Sequence, residues 1–419
     1  MYELLIQNGS TVYLPPVQEE VKVTTERQIS PGSIEFSFVD TGISIAEGNP
    51  VRFKDGETCV FYGFIFKIKR DRSNIVKVTA YDQIRYLKNK DTMVYENKTA
   101  AEVVMQIANN FGFNLGTIAD TIWKIASRVE DNESLMDMIG NALDLTLQNT
   151  GDLYILHDDG GKLNLSFIGD MYVPIVIDAE TGQNYDYESS IDSDTYNRIK
   201  LVFDNEKTGK RDVYIAQDSS HMNDWGILQY FDTLQDGENG QAKADALLKL
   251  YNKATKTLTI KDACGDSRVR GGSLVVVQLD LGDVQIKNLM LVEKCVHKYG
   301  ESKHTMDLTL SGGGFSDAND FVRAIQQVSN GVNEAGYPAD VMSGTVIAAA
   351  PLKIKVEQRF DIASAQLIIP EHLTDRTVDI ELDGVKKEMK IYSGLKTGQQ
   401  VVLIRQQGGQ KFLVADRVV

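Results

Sequence analysis

Alternation of apolar and polar residues dominates the first part of the chain and predicts β-strands there. The alternating runs begin at Val21, Ser33, Val51, Cys59 and Ile75. Short gaps separate these runs, and Asp55-Gly56 favours a tight turn that pairs the strands on either side of it. The spacing predicts an antiparallel barrel or sandwich for residues 1–95.

The period of the pattern becomes helical after residue 95. Thr99 and Glu102 form a capping box ahead of an apolar stripe that ends near Gly112. A second stripe, from Leu135 to Leu147, predicts another helix, which Gly151 ends. The change of period therefore predicts two helices after the first set of strands.

These two helices predict a small inserted α/β lobe over residues 96–190. Its sheet is predicted to be the hairpin formed by residues 153–157 and 162–168. Strand patterns resume over residues 191–315, where one helix rich in Ala and Leu interrupts them near residues 240–253. This second strand-rich segment resembles the first in being mostly antiparallel.

The last part of the chain divides into a linker and a final β-module. Residues 316–340 contain a predicted helix and the linker. Residues 341–419 alternate again, and Asp383-Gly384 marks a tight turn between two of their strands. The whole pattern predicts a mainly β chain with an α+β insertion: two antiparallel β-domains, the lobe between them, and a C-terminal compact sheet or barrel.

Charge and composition narrow the classes of function. The 419 residues include 59 acidic and 44 basic side chains, which give a net charge of −15. This charge repels phosphate backbones and argues against sequence-specific nucleic-acid binding. The chain has no apolar run of about eighteen residues, and its start lacks the basic and apolar regions of a signal peptide. We therefore expect folding in a cytoplasm and no membrane insertion.

The three cysteines give no sign of a disulfide framework or a zinc site. Cys59, Cys264 and Cys295 lie far apart, and no two of them form a Cys-x-x-Cys pair. We expect three thiols buried in strands.

Glu130-Asp131-Asn132-Glu133 is the main candidate for catalysis. Paired carboxylates can serve glycoside hydrolysis. The same residues stand just before a predicted helix, where acidic side chains stabilise the N-terminal end of the helix dipole. We interpret the cluster as structural.

Histidine positions give weak metal signals. His297 and His304 flank the turn of a predicted hairpin and can approach each other across it, but no third ligand stands nearby. The remaining histidine candidates, each with an aspartate close in sequence, are His221 with Asp224 and His157 with Asp158 and Asp159. We predict no metal site.

Other candidate motifs lack the partners that their chemistry requires. Gly265-Asp266-Ser267 resembles the start of an esterase motif, but its residues favour a turn and no matching Asp-x-x-His follows. Arg270-Gly-Gly-Ser273 and Ser311-Gly-Gly-Gly314 lack the Lys-Ser/Thr of a phosphate-binding loop. The alternating aromatic residues of one strand are Phe61, Tyr62, Phe64 and Phe66. They are predicted to form a core stripe rather than a base-stacking platform, and we predict no catalytic and no cofactor-binding residue.

Several segments together carry a resemblance to a known family. These segments are Tyr196-Asn-Arg-Ile-Lys-Leu, Trp225-Gly-Ile-Leu-Gln-Tyr-Phe, Gln241-Ala-Lys-Ala-Asp-Ala, Gly271-Gly-Ser-Leu-Val-Val-Val and His304-Thr-Met-Asp-Leu-Thr-Leu. Residues 1–315 resemble the XkdQ/YqbQ family, the baseplate hub proteins of contractile phage tails and phage-derived bacteriocins. The C-terminal module is similar to XkdR-like proteins in Gly344-Thr-Val, Pro351-Leu-Lys-Ile and Gln410-Lys-Phe-Leu-Val.

The resemblance implies tail-tube-like β-barrels at residues 1–95 and 191–315 and an OB-like β-barrel at residues 341–419. It implies a structural baseplate hub, with no enzyme activity and no cofactor. Three chains would form a ring that adapts a hexameric tail tube to a trimeric central spike.

The resemblance also implies partners and a location. The implied partners are two further copies in a homotrimer, the tail tube protein or a tube initiator, the central spike or tip protein, the tape measure protein, and baseplate wedge and LysM-type proteins. Assembly would take place in the bacterial cytoplasm, and the chain would become part of a released virion tail or bacteriocin particle.

Two other functions stay open at the level of sequence. A hub-associated peptidoglycan hydrolase would use Glu130, Glu133 or the histidines. An adhesive or glycan-binding module would use the C-terminal barrel and some of the 17 tyrosines. Most of those tyrosines alternate in strands, so packing explains them first.

Overall fold

The computed structural model describes residues 2–182, 184–192, 195–205, 210–234, 240–280, 285–301, 303–312, 340–357, 359–382, 385–405 and 411–418. Strands make up 57% of the structure and helices 17%, which confirms the predicted mainly β fold class. Contacts between Cα atoms divide the chain into two compact units. The first contains residues up to Arg85, Phe113–Ala119 and described residues 151–312, and the second contains Tyr86–Gly112, Asp120–Thr150 and the described residues from 340 onward. The boundaries of the five segments proposed from the sequence stay a prediction.

The first β-domain is an antiparallel sheet around one apolar core. Its strands are β1 (Tyr2–Asn8), β2 (Thr11–Tyr13), β3 (Val17–Glu26), β4 (Ser33–Val39), β5 (Pro50–Asp55), β6 (Thr58–Arg70) and β7 (Ile75–Tyr81). They pair in the order β3-β4-β7-β6-β5-β1-β2. Alternate residues such as Val51 and Phe53 point into the core, where they meet Ile6 and Ile34. β5 and β6 pair across the Asp55-Gly56 turn as predicted.

The next segment contains two helices and two small sheets. Its elements are a 3₁₀ helix (Gln83–Lys88), β8 (Lys90–Thr99), α1 (Ala100–Phe111), β9 (Leu115–Ile118), β10 (Lys124–Ser134), α2 (Leu135–Thr150), β11 (Tyr154–Asp158), β12 (Leu163–Phe167) and a 3₁₀ helix (Ile168–Met171). β11 and β12 form the predicted hairpin, with β9 parallel to β12. α1 and α2, however, pack against the β8–β10 ribbon in the second unit, because each helix continues directly from one of these two strands.

The start and end of α1 follow the local sequence signals. The Thr99 hydroxyl oxygen accepts from the Glu102 N–H at 3.2 Å, and the Glu102 carboxylate accepts from the Thr99 N–H at 2.8 Å. Gly112 ends the helix in the left-handed conformation, with φ at 71°. The predicted capping box and helix end are confirmed.

The second β-domain surrounds its own core. The elements of this part of the chain are β13 (Tyr172–Asp178), β14 (Asn184–Ser190), β15 (Arg198–Asn205), β16 (Lys210–Gln217), α3 (Ser219–Trp225), β17 (Gln229–Thr233), α4 (Gly240–Tyr251), β18 (Thr255–Cys264), β19 (Leu274–Asp280), β20 (Gln285–Tyr299) and β21 (His304–Ser311). β14, β18, β21, β20 and β19 pair in that order, and β13 runs parallel to β19. Leu258, Val277 and Leu308 lie in the core between them.

The described residues between 195 and 253 (195–205, 210–234 and 240–253) form a separate α/β module inserted into this domain. Its sheet has the order β16-β15-β17, and α4 covers one face with Ala244 and Leu247 against Leu201. We call this segment the 195–253 module. The alternating pattern alone placed these strands in the second β-domain and did not reveal that they have a core of their own.

The C-terminal part of the second unit is a nearly closed barrel. Its elements are β22 (Asp340–Ala349), β23 (Leu352–Val356), β24 (Phe360–Ala363), a 3₁₀ helix (Ser364–Gln366), β25 (Leu367–Ile368), a 3₁₀ helix (Glu371–Leu373), β26 (Arg376–Leu382), β27 (Val385–Ile391), β28 (Gln400–Arg405) and β29 (Phe412–Val418). The barrel order is β24-β23-β22-β28-β29-β25, and β26 pairs with β27 as predicted. The Asp383-Gly384 turn and the helix predicted within residues 316–340 lie outside the described residues.

Candidate assembly site

A shared strand ladder joins the two β-domains of the first unit. β3 pairs with β20 from Glu26 opposite Lys294 to Val21 opposite Tyr299. The same stretch of β20 also pairs with β21, so its two edges carry strands from the two domains. One sheet of 13 strands therefore runs through both domains, and we call the ladder between them the β3–β20 joint.

Ion pairs flank the β3–β20 joint. The Arg27 Nε donates to the Glu293 carboxylate at 2.6 Å, and the Arg27 N–H donates to the Glu293 carbonyl oxygen at 2.8 Å. The Lys294 ammonium lies 2.8 Å from the Glu26 carboxylate. These pairs are partly exposed, so each adds about 0–1 kcal/mol. They set the register of the joint, and the main-chain ladder and buried side chains supply most of its stability.

Tyr299 anchors the joint in the core of the first domain. It belongs to β20, yet its ring lies 4.9 Å from Phe53 and 5.0 Å from Tyr2 between ring centroids. Its hydroxyl lies 3.0 Å from the Ser267 hydroxyl, which donates to the Asp55 carboxylate at 2.8 Å. Ser267 thus connects a turn of the second domain to β5, which agrees with the structural interpretation of Gly265-Asp266-Ser267.

The predicted approach of His297 to His304 is confirmed. The His297 side chain is 2% exposed, and its Nδ1 lies 3.0 Å from Nε2 of His304. His297 Nε2 lies 2.7 Å from the Val269 carbonyl oxygen and donates to it, so Nδ1 accepts from His304. Burial lowers the pKa of His297 to about 4. Among the described residues, no three His, Cys, Asp or Glu side chains are placed to hold a metal ion.

The other histidine candidates lie apart from this pair. His221 stacks on Trp225 at 3.9 Å between ring centroids and bonds to Asn252 at 2.7 Å. The Nε2 of His157 lies 3.0 Å from the Ser166 hydroxyl, and burial lowers the pKa of His157 to about 3. Asp159 and Asp224 are exposed.

A buried charge cluster links three parts of the first unit. Asp82 accepts from the Gly32 N–H at 2.9 Å, and Asp158 accepts from Gln83 at 2.9 Å. The Arg270 guanidinium donates to the main-chain carbonyl of Asp158. Burial raises the pKa of both carboxyls, to about 6 for Asp158. Asp82, Asp158 and Arg270 stand more than 70 positions apart in sequence, so no local spacing signals the cluster.

The acidic cluster at residues 130–133 is held within the second unit. The Glu130 side chain is 1% exposed, pairs with Arg128, and accepts from Asn141 at 3.2 Å. Asp131 accepts from Arg359 at 2.7 Å and from Arg405 at 3.3 Å, both in the C-terminal barrel. Val129 packs into the barrel core. These partners support the structural interpretation of the cluster.

Several predicted core residues are placed differently. Phe61 lies in the first core, but Tyr62, Phe64 and Phe66 occupy the opposite face of β6 because successive strand residues alternate. Tyr62 and Phe64 contact each other there at 5.9 Å between ring centroids. Tyr62, Phe64 and Phe66 therefore form an outer stripe, and only Phe61 belongs to the core.

The expectation of three buried thiols is wrong for two of them. All three cysteines are free and lie in strands, but Cys264 at the end of β18 is exposed and Cys59 is half-buried. Cys295 is buried, and burial raises its pKa. The glycine-rich Arg270–Ser273 segment is a turn, in which the Ser273 N–H donates to the Arg270 carbonyl at 3.0 Å, while Ser311-Gly-Gly-Gly314 extends beyond the described residues.

Three strands of the 13-stranded sheet have one neighbour each in the described part of the chain. They are β2, β13 and β14. Such edges present main-chain groups to which another strand can bind. No described helix combines the length and hydropathy that a membrane span requires.

Comparison with known proteins agrees with this architecture. The model of the YQBQ-like family matches residues 21–311, and that of a protein of unknown function, DUF2577, matches residues 325–417. The phage-like element PBSX protein XkdQ of Bacillus subtilis is 33% identical over 321 residues, which cover 74% of this chain and 96% of XkdQ. The separate match at the C-terminus agrees with a distinct final module.

Solved structures share the fold at low sequence identity. A 43 kDa tail protein of prophage MuSo2 from Shewanella oneidensis has a TM-score of 0.56 at 11% identity, covering 74% of this chain and 98% of that protein. The E. coli c3393 protein, a component of the type VI secretion system, has a TM-score of 0.54 at 12% identity, covering 99% and 100%. The resemblance seen in the segments from Tyr196 to Leu310 is thus confirmed, and the chain belongs to the YQBQ-like family.

Proposed function

We propose that the chain is a structural baseplate hub that forms a trimeric ring between a hexameric tail tube and a trimeric central spike. The β3–β20 joint carries this proposal, because it already pairs two antiparallel β-domains edge to edge within one chain. Three chains in a closed ring would present six such domains to a tube and three C-terminal barrels to a spike. Ring closure would also cover the free edges of β2, β13 and β14.

The partners follow from that position in a particle. They are two further copies of the chain, the tube protein or tube initiator, the spike or tip protein, the tape measure protein, and wedge and LysM-type baseplate proteins. The fold shared with a prophage tail protein and a type VI secretion component supports a place in such a particle. Assembly in the cytoplasm and release within a virion tail or bacteriocin belong to the same proposal.

The proposed role is structural rather than catalytic. Glu130, one of the two glutamates named for hydrolysis, is buried and pairs with Arg128, and the neighbouring Asp131 is engaged by Arg359 and Arg405. We expect the purified chain to leave bacterial cell walls intact in a turbidity assay. Clearing that is lost in both Glu130→Gln and Glu133→Gln would support the hydrolase instead.

Light scattering coupled to size exclusion, with electron microscopy of the same sample, tests the ring. Three chains of 46.6 kDa give about 140 kDa. We expect this mass and images of a ring with six domain densities. A mass of one or two chains at every concentration contradicts the proposal.

A further inference from the structure

The 195–253 module exposes several apolar residues on one face of its sheet. α4 covers the face that contains Leu201, while the opposite face carries Val213, Ile215 and Phe231, which are 49%, 40% and 54% exposed. Lys200 of the central strand lies in register between Ile215 and Phe231. We call this surface the open sheet face.

Three basic positions and one acidic position lie on the open sheet face of the described strands, and the acidic one, Asp204, stands opposite Arg211 in the β15–β16 ladder. Arg198 and Lys200 on β15 and Arg211 on β16 share this face, because they alternate with the residues that face α4. The Lys200 ammonium lies 6.0 Å from the centroid of the Phe231 ring. The whole chain carries a net charge of −15, so this face has the opposite sign to the molecule around it.

We propose that the open sheet face docks an acidic segment of a partner protein that also carries apolar side chains. Apolar side chains of the partner would cover Val213, Ile215 and Phe231, and carboxylates would pair with Arg198 and Lys200. Burial of exposed apolar side chains supplies affinity, while the cations select an acidic partner. The proposal does not depend on the trimeric ring.

Two other occupants fit the face less well. A second copy docked through the same face would bring two surfaces of net positive charge together, which is a repulsive arrangement in a two-fold contact. A nucleic acid binds through phosphate contacts and base stacking. Val213 and Ile215 provide no stacking surface, and Phe231 is a single ring.

Binding of a labelled acidic peptide to the full chain tests the proposal by fluorescence anisotropy. The probe is a twelve-residue peptide of alternating Glu and Leu, which combines carboxylates with apolar side chains. We expect Lys200→Glu to weaken binding about tenfold or more, since it removes one attraction and adds a repulsion. The matched control is Lys210→Glu, which makes the same charge change at an exposed residue of β16. Residue 210 alternates with the residues of the open sheet face, so this variant should change binding less than about twofold.

An apolar pair of variants tests the other half of the proposal. Phe231→Ser should weaken binding about tenfold, whereas Ile227→Ser, at an exposed residue in the loop before β17, should have little effect. Circular dichroism of each variant checks its fold, and Arg198→Glu replaces Lys200→Glu if the latter does not fold.

Several results would overturn the proposal. These are equal weakening by the face and control variants, equal binding of a Glu-Ser peptide, and no binding of the Glu-Leu peptide up to about 1 mM. Tighter binding of single-stranded DNA at the same face would assign it to nucleic acid. A dimer in sedimentation that Lys200→Glu dissociates would assign it to a second copy.

Discussion

At the scale of single residues, Asp131 connects two parts of the second unit. Its carboxylate accepts from Arg359 and Arg405, which lie 228 and 274 positions further along the chain, and from Thr92 at 3.1 Å. The sequence shows an acidic cluster before a helix, but no local pattern indicates partners so distant. The structural role of the cluster was therefore predictable, and its partners were not.

Removal of this carboxylate should destabilise the second unit. We expect Asp131→Ala to lower the free energy of unfolding by about 3 kcal/mol, because Arg405 loses a charged partner while it stays buried. The matched control is Glu96→Ala, which removes an exposed carboxylate from the neighbouring β8 and should change stability by less than about 0.5 kcal/mol. Urea unfolding measures both, and equal shifts would contradict the assigned role.

His297 gives the first unit a dependence on pH. Its folded pKa is about 4 because it is buried, whereas an unfolded histidine has a pKa of about 6.5. The neutral form is therefore favoured in the folded chain. This contribution to stability is fully present above pH 6.5 and is lost as the pH falls toward 4.

We expect His297→Gln to flatten the acid side of the stability curve, because glutamine can still donate to the Val269 carbonyl but takes up no proton. Between pH 6.5 and 4.5 the slope should fall by up to about 1.4 kcal/mol per pH unit. Urea midpoints across this range measure it. His372→Gln, at an exposed position of the C-terminal barrel, is the control, and parallel curves for wild type and His297→Gln would refute the expectation.

The buried carboxyls act in the opposite direction. Asp158 has a raised pKa of about 6, so its contribution is fully present below about pH 3.9 and is lost as the pH rises through 6. Asp82 shifts in the same direction. The stability of the first unit at each pH therefore combines contributions of opposite sign. Comparison of variants separates these contributions, whereas the wild-type stability curve alone does not.

At the scale of elements, local signals predicted local structure. The Thr99 capping box, the Gly112 helix end and the Asp55-Gly56 hairpin each involve residues a few positions apart, and all three form. The parallel pairing of β15 with β17 and of β13 with β19 joins distant segments. Alternation alone does not distinguish such a pairing from an antiparallel one, so the 195–253 module was not separated from the second β-domain.

The β3–β20 joint depends on a close approach that only glycine allows. A Cβ at Gly271 would lie 2.3 Å from the main-chain carbonyl carbon of Glu26 at the end of β3. We therefore expect Gly271→Ala to destabilise the first unit by about 1–3 kcal/mol. Gly300→Ala is the control, because its Cβ would lie 3.4 Å from the main-chain carbonyl oxygen of Lys303 in the β20–β21 turn. Hydrogen exchange of β3 amides measures the effect, and unchanged protection in Gly271→Ala would show that the joint tolerates a side chain there.

At the scale of the whole molecule, the mainly β architecture was predictable because alternation extends over most of the chain. The division of the chain into two compact units was less predictable. Residues 113–119 and the described residues of 151–312 belong to the first unit, while α1 and α2, which lie on either side of residues 113–119, belong to the second. The chain thus passes repeatedly from one unit to the other, and composition alone does not mark those crossings.

The inserted position of the 195–253 module has a consequence for engineering. Ser190 and Thr255 lie directly opposite each other in the β14–β18 pair, so the chain leaves the second β-domain and returns to it at one point. A short turn between these two residues would close an ordinary hairpin and leave the core of that domain complete. The 195–253 module can therefore be exchanged for another inserted domain at this point, while the rest of the second β-domain stays unchanged.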